Sequence, residues 1–202
     1  MTIEVTRQEE ITIVAMNRPE ARNAVNPKMA RALFDAFVEF GKDDGQKVAV
    51  FTGTGDVFCA GFDLKHASTG MSEDWFAEHN LDDNWRDPAA DQRIGPMGPT
   101  RLLLPKPVIA AISGPAVAGG MELALWADIR IMDASAYMGV YCRRWGVPLI
   151  DGGTVRLPRI VGHGRAMDMV LTGRKIDADE CLQTGLANRV CDTGTALETA
   201  LA

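Results

Sequence analysis

Two short glycine-rich segments hold the residue types and spacings that could do chemistry in this sequence. The first is Phe58-Cys59-Ala60-Gly61-Phe62-Asp63-Leu64-Lys65. The second is Gly114-Pro115-Ala116-Val117-Ala118-Gly119-Gly120-Met121-Glu122-Leu123-Ala124. Each follows an apolar run, 48–52 and 108–112, that predicts a buried strand. Glycine at such turns lets the chain bend sharply and lets another group approach its backbone. The second turn opens a helix, whose first N–H groups lack internal partners and point at whatever lies before them. Two such turns side by side present two backbone donors to one oxygen atom, the arrangement of an oxyanion hole. Positions 119 and 122 lie one helical turn apart, so a backbone donor and the Glu122 carboxylate can converge on one substrate.

A free glutamate titrates near pH ~4.3, too low for good proton donation at neutral pH. Burial between Met121 and Leu125 would raise Glu122 into a useful acid/base range. The competing reading is a surface carboxylate placed early in a helix to suit its dipole, and composition alone favours that one. Cys59, Cys142, Cys181 and Cys191 are widely scattered, with no C-x-x-C pair. They suggest buried reduced thiols rather than a zinc site or a disulfide framework. No Gly-x-Ser-x-Gly elbow or P-loop is present.

The two segments resemble the paired signatures of the crotonase family, the enoyl-CoA hydratase/isomerase superfamily. Further matches follow in order along nearly the whole chain. They are Asn17-Arg18-Pro19 with Ala21-Arg22-Asn23-Ala24, Pro105-Lys106-Pro107-Val108-Ile109-Ala110, Gly152-Gly153-Thr154-Val155-Arg156-Leu157, residues 162–173, and Gly185-Leu186-Ala187-Asn188-Arg189-Val190. The resemblance implies that the N–H groups of Phe62 and Gly119 hold a thioester oxygen. It makes Glu122 the first of the two catalytic glutamates of enoyl-CoA hydratases, which reverses the composition-based reading.

The second glutamate is missing, and Cys142 stands where hydratases carry it. A thiol does not replace a carboxylate as a water-orienting base. Asp151 is the nearest acidic substitute, close to where several non-hydratase relatives carry a catalytic aspartate; its alternative is a helix N-cap or first-turn acid before Thr154. Arg143 and Arg144 add charge nearby, as partners for Asp151 or Glu122. For coenzyme A, the resemblance puts Arg22 and Lys65 near the phosphates. The backbone around Ala24, and from Ala60 through Phe62 and Asp63 to Leu64, then lines the nucleotide and pantetheine path, which Gly119 completes at the thioester. His66, His79 and His163 match no family role.

The implied function is acyl-CoA chemistry of the enoyl-CoA hydratase type, adding water across a 2-enoyl-CoA through a thioester enolate. Isomerisation or other enolate chemistry, and a non-catalytic acyl-CoA-binding relic, are the alternatives. No metal and no cofactor are expected, coenzyme A being part of the substrate.

The elements that must position these residues are legible in outline. With 202 residues, 47% hydrophobic and 24% charged, the chain reads as one soluble core domain spanning 1–202. No apolar run approaches the ~20 residues that span a bilayer, and no signal segment opens the chain, so a cytoplasmic location is expected. The net charge of −6 argues against nucleic acid and anionic membranes as partners, and requires a local basic cluster for any CoA site.

Residues 2–16 alternate about the Arg7-Gln8-Glu9-Glu10 turn and predict a hairpin. Asn26-Pro27 starts a helix whose buried stripe is Met29, Leu33, Phe34, Phe37, Val38 and Phe40, ending by 41–45. The polar stretch 72–99, with Trp75 and Trp85, is either a surface excursion or a lid over the acyl pocket. A helix over 119–127, a strand over 129–132, and helices near 154–161, 165–171 and 178–184 follow, the last capped by Asp177 with Glu180 and stopped by Gly185. Strands alternating with helices give an α/β class. The resemblance adds a ββα spiral of two packed sheets surrounded by helices. An amphipathic helix begins at 195–202, where family members carry helices that cover the site and build the trimer. A truncated C-terminal helical segment, and a homotrimer or hexamer held by altered contacts, are therefore expected.

Overall fold

The computed structural model describes residues 2–68, 71–81 and 84–202, leaving the side chains of 71–73 aside. Positions 82 and 83 of the 72–99 stretch lie outside the described residues. The chain opens with the expected hairpin: β1 (Ile3–Gln8) pairs antiparallel with β2 (Ile11–Met16), Ile3 opposite Met16 and Gln8 opposite Ile11. Helix α1 (Pro27–Lys42) begins where Asn26 Oδ1 accepts from Met29 N at 2.9 Å and Pro27 occupies the first turn. Met29, Leu33, Phe37 and Phe40 are buried as the periodicity requires, whereas Phe34 and Val38 sit at the edge of the stripe, partly buried against the core.

Strand β3 (Val48–Gly53) joins β2 in parallel and leads into the first glycine-rich segment, followed by α2 (Leu64–Ala67) and α3 (Met71–Glu78). Then come β4 (Val108–Ile112), β5 (Pro115–Val117), α4 (Gly119–Trp126), β6 (Ile129–Asp133), β7 (Tyr137–Gly139), α5 (Cys142–Trp145), α6 (Gly153–Val161) and α7 (His163–Thr172). The chain closes with β8 (Ile176–Asp177), α8 (Ala178–Thr184), β9 (Arg189–Cys191) and α9 (Ala196–Leu201). Helix α8 is capped as expected, with Asp177 Oδ1 accepting from Glu180 N at 2.9 Å and Gly185 left-handed at φ 80°.

One sheet has the order β1-β2-β3-β4-β6-β9, parallel from β2 onward; a smaller sheet has the order β5-β7-β8. Against one face of the large sheet, Phe37, Phe51, Phe58 and Trp126 interlock edge to face, with Phe37–Phe51 centroids 5.3 Å apart and Phe51–Phe58 5.4 Å apart. That cluster anchors the first glycine-rich segment. On the opposite face, Ile13, Val50, Ala111 and Ile131 are covered by Ala196 and Ala200 of α9. The four cysteines are free; Cys59, Cys142 and Cys181 are buried, and Cys191 is half-buried.

Candidate active site

An isolated bridge between Cys59 and Ala116 lays the two glycine-rich segments edge to edge. Cys59 N donates to Pro115 O and Val117 N to Cys59 O, each at 3.0 Å. Gly61 then turns the first segment at φ +100°, where a β-carbon would meet Ala118 Cβ at 3.0 Å and Gly119 N at 3.1 Å. The first turn thus lies directly against the start of α4. A β-carbon at Gly120 would collide with the Cys59 carbonyl, which fixes the second glycine for the same reason of close approach. Among the described residues, neither Phe62 N nor Gly119 N donates to a backbone carbonyl. For Gly119 this follows from its place at the first position of α4. Ala118, just before it, takes φ 53° and ψ −126°, a conformation that disfavours any side chain; its N–H donates to Gly139 O at 2.9 Å and helps to hold it there.

These turns form one side of a cavity of about 470 Å³. Of the residues singled out from the sequence, Ala60, Phe62, Leu64, Gly119, Glu122, Cys142 and Asp151 line it. The 72–99 stretch supplies another wall through Phe76, Asn80, Pro96 and Met97, which supports its reading as cover for a pocket. Trp75 does not reach the cavity lining; it is buried, and its Nε1 donates to Pro96 O at 3.2 Å, fixing the wall from behind. Met97 packs onto Gly119, where a β-carbon would sit 2.7 Å from Met97 Sδ. Tyr141, Trp145, Val147, Pro148 and Ile150 complete the lining. Sequence reasoning missed Met97 and Phe76, since a methionine or phenylalanine in a polar stretch carries no chemistry of its own.

Glu122 is only 2% exposed, so the buried reading of this carboxylate is the correct one. Its Oε1 accepts from Asp151 N at 2.9 Å and from Gly153 N at 2.8 Å. Burial, and then the neighbouring Asp151 charge, push its pKa up to about 7; the two N–H bonds and the Arg156 guanidinium act in the opposite direction. Asp151 is buried too. Its Oδ1 accepts from Met97 N at 3.0 Å and from the Thr100 hydroxyl, so the carboxylate latches the 97–100 turn and does not cap a helix. The residue at the N-cap of α6 is Gly152, at φ 90°. Burial raises the Asp151 pKa against those two hydrogen bonds and the charges of Arg101 and Arg156.

The Cys142 thiol, buried beside these carboxyl groups, is pushed up to about 12 by burial and then by the Glu122 charge. It is therefore a protonated, neutral group at neutral pH and no base. The expectation that Arg143 or Arg144 pairs with Glu122 or Asp151 is not met. Arg144 Nε donates to Gly173 O at 2.8 Å and its guanidinium lies 3.6 Å above the Tyr141 ring, while Arg143 is exposed. Arg156 takes that place instead, with Nη1 donating to Asp151 O at 2.8 Å and Nη2 to Thr100 O at 2.6 Å.

Residues expected along the CoA path divide into two groups. Ala60, Phe62 and Leu64 line the cavity; Arg22, Ala24, Asp63 and Lys65 do not. Ala24 O accepts from Arg18 Nη1 at 2.6 Å, and Asp63 pairs with Arg18 at 3.0 Å while capping α2 through His66 N. Burial works to raise the Asp63 pKa, but the His66 N–H and Arg18 hold it below its usual value. Asp63 thus fixes the first turn. Arg22 and Lys65 are exposed. Lys175 Nζ lies 4.5 Å from the Tyr137 ring centroid, the Tyr137 and Tyr141 rings are 6.4 Å apart, and Arg144 covers Tyr141 at the cavity wall. The charges of Arg22 and Arg144 both act on Tyr137, whose pKa burial and then Tyr141 raise.

The family model described as "Enoyl-CoA hydratase/isomerase" matches residues 6–202. Enoyl-CoA hydratase EchA19 of Mycobacterium tuberculosis (strain ATCC 25618 / H37Rv) is 37% identical over 204 residues, covering 98% of this chain and 71% of that protein. The carnitinyl-CoA dehydratase of Salmonella typhi is 35% identical, with the same two shares, 98% and 71%. Among solved structures, an enoyl-CoA hydratase from M. tuberculosis H37Rv superposes with a TM-score of 0.83 at 35% identity, over 99% of this chain and 73% of that one. Enoyl-CoA hydratase EchA1 from M. marinum gives 0.85 at 32% identity, over 99% and 73%.

Proposed function

This chain belongs to the enoyl-CoA hydratase/isomerase family, and from that premise we propose that it hydrates a 2-enoyl-CoA with Glu122 as the acid/base. The observation that carries the proposal is the placement of Glu122. It is a buried carboxyl group titrating near neutrality, on the wall of a cavity that Phe62 and Gly119 also line, and neither of their N–H groups donates to a backbone carbonyl among the described residues. The thioester oxygen accepts from both amides, which lowers the energy of the enolate formed when a nucleophile adds to the β-carbon; removing one such donor typically costs ~3–4 kcal/mol. Both hydrogen bonds to Glu122 fall on Oε1, leaving Oε2 for proton exchange. Water oxygen bonds to the β-carbon, its proton passes to Glu122, and the same proton is delivered to the α-carbon. Asp151 is the proposed second carboxyl group, and Cys142 is a neutral wall. Arg22 and Lys65, both exposed, are the proposed phosphate contacts.

Crotonyl-CoA incubated with the protein should lose its enoyl absorbance while its mass rises by one water. A mass-neutral product would favour isomerisation instead, a reading that the thiol at position 142 supports. Binding with no turnover of any enoyl thioester would overturn the enzymatic proposal. A homotrimeric or hexameric assembly is a proposal that rests on the resemblance, and a cytoplasmic location is one that rests on the sequence, in which no apolar run is long enough to span a bilayer.

A further inference from the structure

We infer that Arg156 is a positioning residue of this site: its guanidinium fixes the backbone clamp that aims Glu122 into the cavity and sets a positive charge behind the two carboxyl groups. The inference rests on Glu122 acting as the acid/base. Arg156 does not line the cavity, so it acts through its neighbours. Its two Nη atoms bind the carbonyls of Asp151 and Thr100, at 2.8 and 2.6 Å. The Thr100 hydroxyl in turn donates to Asp151 Oδ1, closing a ring of three residues from the 97–100 turn, the 151 loop and α6. That ring holds the peptides around position 151 in the orientation from which Asp151 N and Gly153 N both reach Glu122 Oε1. The Asp151 carbonyl that Arg156 binds belongs to the peptide lying between the two whose N–H groups bind Glu122, so the guanidinium holds the centre of the clamp.

The adjacent glycines fit this role. A β-carbon at Gly152 would overlap Arg156 Nη1, and one at Gly153 would lie 2.9 Å from Glu122 Cγ and Oε1. One glycine admits the guanidinium and the other admits the carboxylate. A planar fork reaches two carbonyls at once, which a lysine ammonium on a single stem does not reproduce. The charged and titratable groups facing Glu122 are Asp151 from the loop, Cys142 from α5 and Arg156 from α6, with Arg101 acting on Asp151. Asp151 disfavours ionised Glu122, and Arg156 favours it.

Difference infrared titration of the full chain reads this directly, with Glu122→Gln identifying the Glu122 carboxyl band. Arg156→Met should move the midpoint alkaline by about one unit, the size expected for losing one near charge. Arg156→Lys should move it less, yet lower kcat on crotonyl-CoA by about tenfold or more through misplacement, with KM little changed. Both variants should still bind butyryl-CoA, a saturated thioester that cannot be hydrated, and Arg159→Met on the exposed side of α6 should behave as the native protein. An unmoved midpoint in an Arg156→Met protein that binds butyryl-CoA would overturn the inference. If Arg156→Met does not fold, native kcat in Arg156→Lys overturns it and a lowered kcat with a small shift supports it. No crotonyl-CoA hydration by the native chain, with the midpoint still moved by Arg156→Met, would sink the hydratase reading and leave the positioning role standing.

Discussion

A carboxylate kept out of water at neutral pH is a cost the fold carries for the sake of its site. Glu122 titrates near 7 when folded, against 4.5 for the unperturbed group. Its folded pKa is raised, so its contribution is fully present below about pH 4.5 and is lost as pH rises through about 7. Glu122→Gln keeps an Oε1 acceptor for Asp151 N and Gly153 N but cannot ionise. It should therefore be more stable than the native chain at pH 8, by at most about 3 kcal/mol, and nearly equal at about pH 4. Urea melts at the two pH values check this, and a gain independent of pH would refute the buried-charge account. The same variant should lower turnover by ~100-fold while leaving CoA-ester binding nearly intact. At the neighbouring positions, Asp151→Asn should abolish hydration and Cys142→Ala should be mild, as measured by initial rates; the reverse ranking would make the thiol the functional group. The two glycine turns after buried strands were legible as local patterns, whereas the roles of Phe62, Gly119 and Glu122 came from the family resemblance, since composition alone favoured a surface carboxylate at 122. The role of Arg156 was not legible, since its two acceptors, the carbonyls of Thr100 and Asp151, lie on turns that only the folded chain brings together.

The elements were legible where a local rule fixes them. Asn26 and Asp177 cap their helices through their own side chains, and Gly185 stops α8 in a left-handed conformation, all within a few residues. The short strands β5, β7 and β8 carry little periodicity, and their sheet exists through long-range pairing such as Val117 opposite Gly139. Phe34 and Val38 share the helical spacing of the stripe yet fall at its edge, because the sheet beneath covers a narrower arc than the pattern allows. The turn before α4 gives the test at this scale. Ala118 holds a positive φ that glycine adopts freely, so Ala118→Gly should range from neutral to ~1 kcal/mol more stable, relief of strain being offset by unfolded-chain entropy. Ala118→Val should lose at least ~2 kcal/mol, since a β-branched residue is worse still in that region. Gly61→Ala, with its β-carbon driven toward Gly119 N, should disturb the pair of amides and lower kcat far more than it lowers the melting temperature. Equal losses of rate and stability in Gly61→Ala would mean that the turn serves only packing.

At the scale of the whole molecule, the two faces of the large sheet are finished differently. One carries the aromatic cluster and the cavity; the other is closed by α9 over Ile13, Val50, Ala111 and Ile131. Large apolar side chains that stay in water collect on the α5–α7 portion of the chain, where Trp145 is 71% exposed and Leu171 60% exposed, with Val155 and Met167 also exposed. Helices α6 and α7 pack together and α5 packs on α7, so these side chains project from neighbouring elements. Met167 and Leu171 are one turn apart on α7 and share a face. Exposed apolar side chains that adjoin one another mark an interaction surface when they form a large contiguous patch. With the trimer or hexamer proposed on family grounds, the expected occupant is a second copy of the chain. Light scattering at micromolar concentration should give three or six subunits for the native protein. Leu171→Asp, which places a charge beside Met167 on the exposed face of α7 and does not line the cavity, should shift the population toward smaller species without loss of secondary structure. A native protein that stays monomeric across that range would remove the assembly, and an undisturbed oligomer in Leu171→Asp would move its interface away from α7.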